Sequence, residues 1–203
     1  MYNIFFDKVN DLPFIWVRDV YNKDQLTDIF EELDFLLGIE RYKDPEHPDG
    51  PETAYDPEGN VLKHGKGVYL DRAYKDRDMS IILKHNRILF DKEFTTEIAK
   101  YHPLFRFIGK STGDNTKIHY FVDGDYYKPH VDGCTISAVT WFHKKPKAYT
   151  GGDIILEHKY KLPCLNNSMV IFPAIMWHEV TKVVMPNNEY GMGRYSMSQF
   201  LTL

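Results

Sequence analysis

The second half of the chain is a series of short apolar runs, and this series restricts the fold more than any other feature of the sequence. The runs are separated by turn signals of the kinds Asp-Gly, Gly-Gly and Asn-Asn. They cover residues 118–122, 139–142, 154–156, 169–172, 180–184 and 195–203. Several short strands at such spacing predict an all-β sandwich or barrel, and the 15% aromatic content is typical of strand-rich chains.

The first half of the chain predicts helices that support this β-structure. Residues 14–17 indicate a short strand leading into a helix, which Asn22 and Gln25 can start as a capping box. Apolar residues recur at helical spacing, with acidic residues facing water: Leu26, Ile29, Phe30, Leu33, Leu36 and Leu37, against Asp28, Glu31, Glu32 and Asp34. Residues 79–100 are also mostly helical. We predict one domain over 1–203, with helical support mainly in 1–110 and a β-core mainly in 111–203.

Residues 40–67 differ in character from the segments on either side. Prolines and glycines interrupt any long element there, and charged residues dominate between them. This pattern predicts an irregular excursion that contains at most a short hairpin. Loops of this length often serve as lids or binding loops, and a solvated insertion is the alternative.

Composition and charge exclude several classes of protein. The net charge of −4 and the pI near 6.1 give no basic footprint, so we expect no nucleic-acid partner. No apolar run approaches the roughly 20 residues that span a bilayer, and the charged N-terminus does not resemble a secretory signal. Cys134 and Cys164 lack the spacing of a zinc finger or a disulfide framework. We therefore expect a cytoplasmic protein without a membrane partner.

Two histidines and an aspartate form a candidate metal site. His130 and Asp132 stand two residues apart, so on an extended chain both side chains point to the same face. His178 follows after two or three further strands. Two histidines and one carboxylate leave coordination positions open, which is the arrangement of non-haem Fe(II) oxygenases. His47 and Asp49 repeat the His-x-Asp pattern within the Pro/Gly-rich excursion, where no strand context supports them.

The residues around His130 and Asp132 resemble motifs of the prolyl 4-hydroxylase-like Fe(II)- and 2-oxoglutarate-dependent oxygenases. The stretch 124–133, GDYYKPHVDG, is similar to the first metal motif of that family. TGGDI at 150–154, the Phe-Pro pair at 172–173, WHEV at 177–180 and GRYS at 193–196 follow in the family's order. The resemblance implies a double-stranded β-helix, or jelly roll, preceded by N-terminal helices. It also implies Fe(II) as the metal and 2-oxoglutarate as the co-substrate, with ascorbate as a further candidate cofactor.

Four residues are candidates for binding 2-oxoglutarate. The resemblance implies that Arg194 grips the far carboxylate, and a planar guanidinium is well suited to bidentate bonds with a carboxylate. Ser196 shares its strand face with Arg194. Tyr120 and Tyr127 are further candidates, because the family often carries a tyrosine where this chain has Phe121; a role in the core or in the pocket wall is the alternative for each. The longer segment between the distal histidine and Arg194 is a second departure from the family pattern.

The implied activity is hydroxylation of a C–H bond by a 2-oxoglutarate-dependent dioxygenase. Asp132 favours hydroxylation over halogenation, because halogenating relatives lack this carboxylate. The leading hypothesis is a hydroxylase of a protein or peptide side chain, with proline first by analogy to the family. A hydroxylase of a free amino acid or other small molecule, a cupin-like metal protein that is not an oxygenase, and a degenerate partner-binding relative are the alternatives. We expect the protein to be a monomer or a homodimer.

Overall fold

The computed structural model describes residues 2–203, which form two antiparallel β-sheets supported by short helices. The strands are β1 Asn3–Val9, β2 Leu12–Arg18, β3 Lys63–His64, β4 Lys66–Tyr69, β5 Gly113–Phe121, β6 Tyr126–His130, β7 Ile136–Phe142, β8 Ile154–Leu156, β9 Tyr160–Leu162, β10 Ser168–Pro173, β11 His178–Val180 and β12 Arg194–Thr202. The α-helices are α1 Lys23–Gly38, α2 Leu70–Ala73, α3 Ile81–His85 and α4 Lys92–Ile98, and 3-10 helices span Arg77–Met79, Asn86–Phe90 and Pro103–Lys110.

The two sheets pack face to face as a jelly roll. The larger sheet has the order β1-β2-β10-β7-β12-β5-β4, and the smaller has the order β3-β6-β11-β8-β9. Side chains such as Phe14, Trp141 and Phe172 fill the space between the sheets. The other face of the large sheet packs on the helices through residues such as Ile118 and Met197. The predicted fold class, mainly β with N-terminal helices and a jelly-roll core, is confirmed.

Helix α1 begins where the sequence predicts. The Asn22 side chain accepts from the backbone N–H of Gln25, whose side chain accepts from the Asn22 N–H in return. The prediction that Glu32 faces water is wrong. Its carboxylate is buried and accepts hydrogen bonds from the Ser80 hydroxyl at 2.7 Å and the Ile82 N–H at 2.8 Å, which ties α1 to the start of α3.

The N-terminal half is less helical than predicted. β1 and β2 form a hairpin, and β2 extends the large sheet by pairing with β10. The segment 79–100 is divided into short helices, because Ser80 and Asp91 each accept a hydrogen bond that starts a new helix. Within residues 2–203, no helix is both long and apolar enough to cross a bilayer.

The excursion at 40–67 lies across one end of the barrel. It contains an isolated bridge between Tyr55 and Val61 and ends in the short strands β3 and β4. β3 pairs with β6 of the small sheet, and β4 pairs with β5 of the large sheet. The excursion therefore spans the gap between the sheets, at the end where β6 reaches His130.

Candidate metal centre

His130, Asp132 and His178 converge at the end of the small sheet. His130 is the last residue of β6, and His178, the first residue of β11, is its partner in the ladder. Asp132 lies beyond the end of β6, in a loop that its backbone N–H fixes by donating to the Ala174 carbonyl at 3.0 Å. The expectation of a histidine and an aspartate on one continuous extended strand is therefore corrected: a strand end and a loop bring the two side chains together.

Hydrogen bonds orient both imidazoles towards the carboxylate. Nδ1 of His130 lies 2.8 Å from the Lys128 carbonyl, and Nδ1 of His178 lies 3.0 Å from the Met176 carbonyl. Because a carbonyl only accepts, each Nδ1 carries a proton, and in the neutral form of either ring the lone pair therefore lies on Nε2. The two Nε2 atoms lie 3.9 and 3.4 Å from the Asp132 carboxylate oxygens.

The three ligand atoms form a compact and buried set. They all lie within 4.8 Å of one another, and no other group of three or more His, Cys, Asp or Glu residues in the described chain has this geometry. Burial, and secondarily the neighbouring His178 imidazole, lower the pKa of His130 to about 2. A neutral imidazole is the form that binds a metal, so the donor set fits a ferrous ion.

Neighbouring side chains hold the three groups in place. The Ser137 hydroxyl donates to Asp132 Oδ2 at 2.5 Å. The Tyr127 ring stacks on the His130 ring with centroids 3.5 Å apart, and Phe172 packs edge-on against His178. Second contacts of this kind fix the orientation of metal ligands.

The competing His-x-Asp pattern at 47–49 forms no comparable site. The Asp49 N–H donates to Nδ1 of His47 at 3.0 Å within a local, exposed turn. No third ligand accompanies them among the described residues. The sequence context that favoured His130 and Asp132 thus agrees with the geometry.

Arg194 and Ser196 lie deeper in the same cavity. Arg194 is 1% exposed, and its guanidinium donates from Nε to the Gly152 carbonyl at 2.7 Å and from Nη1 to the Ser196 hydroxyl at 2.9 Å. Within residues 2–203 no hydrogen bond occupies Nη2, so this nitrogen is free for a ligand. The cavity connects the guanidinium to the metal ligands through the side chains of His119, Phe121, Val139, Ile154 and Val180.

The Gly-Gly turn provides the space for this arginine. Gly152 has a φ of +71°, and a Cβ at this position would lie 2.5 Å from Cδ of Arg194. A side chain at residue 152 would therefore collide with the arginine and would also strain the backbone. The turn singled out in the sequence is thus a packing requirement of the cavity.

The two tyrosines predicted to reach 2-oxoglutarate have different positions. Tyr127 lines the cavity, but its hydroxyl accepts a hydrogen bond from the Ala54 N–H at 3.0 Å. The prediction for Tyr120 is contradicted. Its ring packs against Tyr195 on the helical side of the large sheet, and its hydroxyl accepts from the Gly191 N–H. Side chains alternate along β5, so Phe121 faces the cavity and Tyr120 faces away from it.

Sequence reasoning missed Ser137 and two buried lysines. Lys117 and Lys63 are 6% and 3% exposed, and Lys117 lines the cavity. For Lys117 a signal was available: it shares a strand face with His119, because the two residues are two positions apart on β5. Ser137 gave no comparable signal, since the contact that reveals it depends on the path of the loop at Asp132.

Comparisons with known proteins agree with this architecture. Residues 116–202 match the model of the 2OG-Fe(II) oxygenase superfamily. This part of the chain is therefore similar to a 2OG-Fe(II) oxygenase domain. An uncharacterised PKHD-type hydroxylase of Synechocystis sp. is 29% identical over 99 residues, which are 39% of this chain and 33% of that protein. The aligned part thus spans about a third of this curated relative. The resemblance stated from the sequence motifs is confirmed.

Solved structures share the fold at low sequence identity. A prolyl-4-hydroxylase of Pseudomonas putida has a TM-score of 0.64 at 12% identity, covering 93% of this chain and 91% of that chain. A viral collagen prolyl hydroxylase from Paramecium Bursaria Chlorella virus-1 has a TM-score of 0.57 at 8% identity, covering 94% and 96%. The epimerase SnoN of nogalamycin biosynthesis has a TM-score of 0.56 at 12% identity, covering 93% and 77%. The same barrel thus occurs in a hydroxylase and in an epimerase.

Proposed function

We propose that this chain is an Fe(II)- and 2-oxoglutarate-dependent dioxygenase that hydroxylates a C–H bond. One observation carries the proposal: a buried His-Asp-His set and the guanidinium of Arg194 lie in one cavity. The first group suits a metal with open positions, and the second suits a carboxylate held at a distance from it. The match to the 2OG-Fe(II) oxygenase superfamily over 116–202 supports the same reading.

The chain's own residues perform two tasks in this proposal. His130, Asp132 and His178 would hold the iron, and their outer hydrogen bonds keep both Nε2 atoms directed at it. Arg194 would bind the far carboxylate of 2-oxoglutarate through its free Nη2, with Ser196 fixing the guanidinium plane. Ferrous iron bound here would activate dioxygen while 2-oxoglutarate is decarboxylated to succinate.

The cavity wall has a further role. Phe121, Val139 and Ile154 line the cavity that holds the metal ligands and Arg194, and such apolar side chains would disfavour water there. A dry cavity strengthens the pairing of Arg194 with a carboxylate and protects a reactive centre from side reactions. Ascorbate remains a candidate reductant, which is tested by adding it to the turnover assay.

The substrate class is a separate part of the proposal. The PKHD-type relative and the two prolyl hydroxylases favour hydroxylation of a protein or peptide side chain, with proline as the first candidate. A free amino acid or another small molecule is the alternative, because the nogalamycin epimerase has the same fold.

A two-step assay tests the dioxygenase proposal. Fe(II) and 2-oxoglutarate are added without oxygen, and the weak visible charge-transfer band of the chelate is recorded. Oxygen is then admitted and succinate is measured. We expect both the band and slow succinate formation, even without a substrate. Absence of both signals would refute the proposal.

A matched pair of variants tests the ligand assignment. We expect His130→Ala to abolish the band and the succinate signal, because the site loses one of its three ligands. His47→Ala should leave both largely intact, since His47 belongs to an exposed local turn. The reverse pattern would contradict the assignment of His130 and Asp132 over His47 and Asp49.

A further inference from the structure

Two buried lysines meet at the mouth of the cavity without an acidic partner. The Nζ atoms of Lys117 and Lys63 donate to the same backbone oxygen, the carbonyl of Glu52, at 2.9 and 3.2 Å. Within residues 2–203 neither ammonium lies within 4.0 Å of a carboxylate. A single neutral acceptor leaves most of the hydrogen-bonding capacity of the two lysines unused. Burial and the neighbouring Lys117 lower the pKa of Lys63 well below its ordinary value, so Lys117 carries the positive charge of the cluster. Buried charges are normally paired, so the cluster lacks an anion.

Lys117 is directed into the site rather than away from it. It lines the metal cavity and also an adjoining groove, whose walls include Thr53, Asn115 and Cys134. Its Nζ lies 4.5 Å from the Tyr69 ring centroid and 5.1 Å from that of Phe200, so the ammonium is held between two aromatic faces. The lysine thus has a fixed position where the groove opens into the cavity.

Lys117 and Arg194 stand at opposite ends of this space. On β12, Ser198 is the ladder partner of Lys117, while Arg194 is the partner of Phe121. Four residues of extended strand separate Lys117 from Phe121, which corresponds to about 13 Å. The two cations are also tied to different backbone carbonyls, Lys117 to that of Glu52 and Arg194 to that of Gly152, so they occupy separate positions on the cavity wall.

The formal charges of the metal site balance without Lys117. A divalent metal and Arg194 balance Asp132 and the two carboxylates of 2-oxoglutarate. Lys117 then has no carboxylate of its own within 4.0 Å, because the nearby Glu52 pairs with Arg72 and Asp132 belongs to the metal site. Burial lowers the pKa of Lys117 to about 8, which leaves the ammonium mainly protonated at neutral pH. A further anion in the groove would therefore neutralise the charge of Lys117 when the metal and 2-oxoglutarate are bound.

We propose that Lys117, supported by Lys63, binds a carboxylate of the substrate and directs an anionic substrate to the metal centre. The inference rests on the proposed dioxygenase function and specifies its substrate class. Two sources share this chemistry: the carboxylate of a free amino acid, and the side chain of Asp or Glu in a peptide. The groove between residues 52–54 and the loop at 131–134 is the entry route for either.

A binding experiment tests the proposal without turnover. The protein is loaded with Mn(II) and 2-oxoglutarate and titrated calorimetrically with proteinogenic L-amino acids and with the primary amide of each. A second series uses acetylated, amidated peptides that contain one Asp or Glu, against the same peptides with Asn or Gln. We expect at least one acid to bind at least about 30-fold more tightly than its neutral counterpart, because the uncharged group leaves a buried ammonium unpaired. The series that shows the preference identifies the source of the carboxylate.

Variants assign the preference to Lys117. Lys117→Met should remove it and leave the affinity for 2-oxoglutarate unchanged, whereas Lys117→Arg should retain a preference for acids. Lys66→Met, an exposed lysine on the adjacent β4, should behave as the wild type. If Lys117→Met does not fold, the acid–amide comparison in the wild type and the Lys117→Arg variant still decide the question.

Three outcomes overturn the inference: acids and amides bind alike, no acid binds, or Lys117→Met weakens the binding of 2-oxoglutarate instead. Failure of this inference differs from failure of the proposed function. In the first case the wild type still forms succinate from 2-oxoglutarate, and acids stimulate that reaction no more than amides. In the second case the wild type forms no succinate at all.

Discussion

The carboxylate of Asp132 depends on a neighbour that is not itself a ligand. The Ser137 hydroxyl lies 2.5 Å from Oδ2 and is fully buried on β7. This bond fixes the rotation of the carboxylate while its other oxygen faces His130. Ser137 is therefore a positioning residue for the metal site.

Removing this hydroxyl should weaken metal binding more than it weakens the fold. We expect Ser137→Ala to lower the affinity for Mn(II) by about 10- to 100-fold, the usual cost of losing an outer partner of a metal ligand. Calorimetric titration with Mn(II) measures the effect. Ser168→Ala, the same change at a buried serine on β10, is the control and should leave the affinity unchanged. Equal losses in both variants would indicate general destabilisation.

At the scale of residues, the sequence predicts the candidate metal ligands but not the residues that orient those ligands. His130 and His178 stand in recognisable motifs, whereas Ser137 is one of many strand residues. Glu32 was misassigned because helical periodicity places it on the polar face, and only the position of α3 gives it buried partners. The local sequence pattern contains no information about contacts between elements that are distant in sequence.

Among the elements, the turn before β8 has the clearest effect on the cavity. Gly152 has a left-handed backbone and supplies the carbonyl that receives Nε of Arg194. Turn and arginine thus form one unit, although they are distant in the chain.

A methyl group at this turn should displace the arginine. We expect Gly152→Ala to raise the dissociation constant of 2-oxoglutarate by about tenfold or more, because the new Cβ would overlap Cδ of Arg194 and shift the guanidinium. Anaerobic titration of the Fe(II) protein, followed through the chelate band, measures it. Gly59→Ala is a matched control: Gly59 also has a positive φ, of +86°, but nothing lies within 4 Å of its Cβ position. A similar rise in both variants would refute the steric explanation.

The strands of the barrel were more predictable than the elements of the N-terminal half. The runs at 139–142 and 169–172 fall on strands, and the run at 118–122 does so as far as Phe121, because their apolar side chains face one of the two cores. β1 was missed because its alternation is weak: Asp7 and Lys8 interrupt it, and both lie at the edge of the sheet. The correction at Tyr120 has a related cause, since motif spacing does not report which face of β5 a residue occupies.

For the molecule as a whole, the metal centre joins parts that only the fold brings together. Two ligands come from neighbouring strands of the small sheet, and the third comes from a loop tied to Ala174. An ion at this site can therefore bind the folded chain far more tightly than the unfolded chain, and this difference stabilises the fold.

Metal loading should accordingly raise the melting temperature. At a free Mn(II) concentration of about 1,000 times Kd, we expect a gain of about 4 kcal/mol, or roughly 10 °C for a chain of this size. Thermal unfolding followed by circular dichroism, with Mn(II) and with a chelator, measures the shift. His130→Ala should show little of it. An equal shift in that variant would mean that Mn(II) binds elsewhere.

The segment at 52–54 forms one wall of the groove beside the cavity and is held there through its main chain. The carbonyl of Glu52 receives both lysines, and the N–H of Ala54 donates to the Tyr127 hydroxyl. Backbone atoms are the same whatever amino acid stands there, so mutation can change the side chains of this segment without removing the contacts that seat it. Substitutions in this segment can therefore change which substrates the groove accepts while the main chain stays in position. Positions 53 and 54 are for this reason suitable targets for directed evolution.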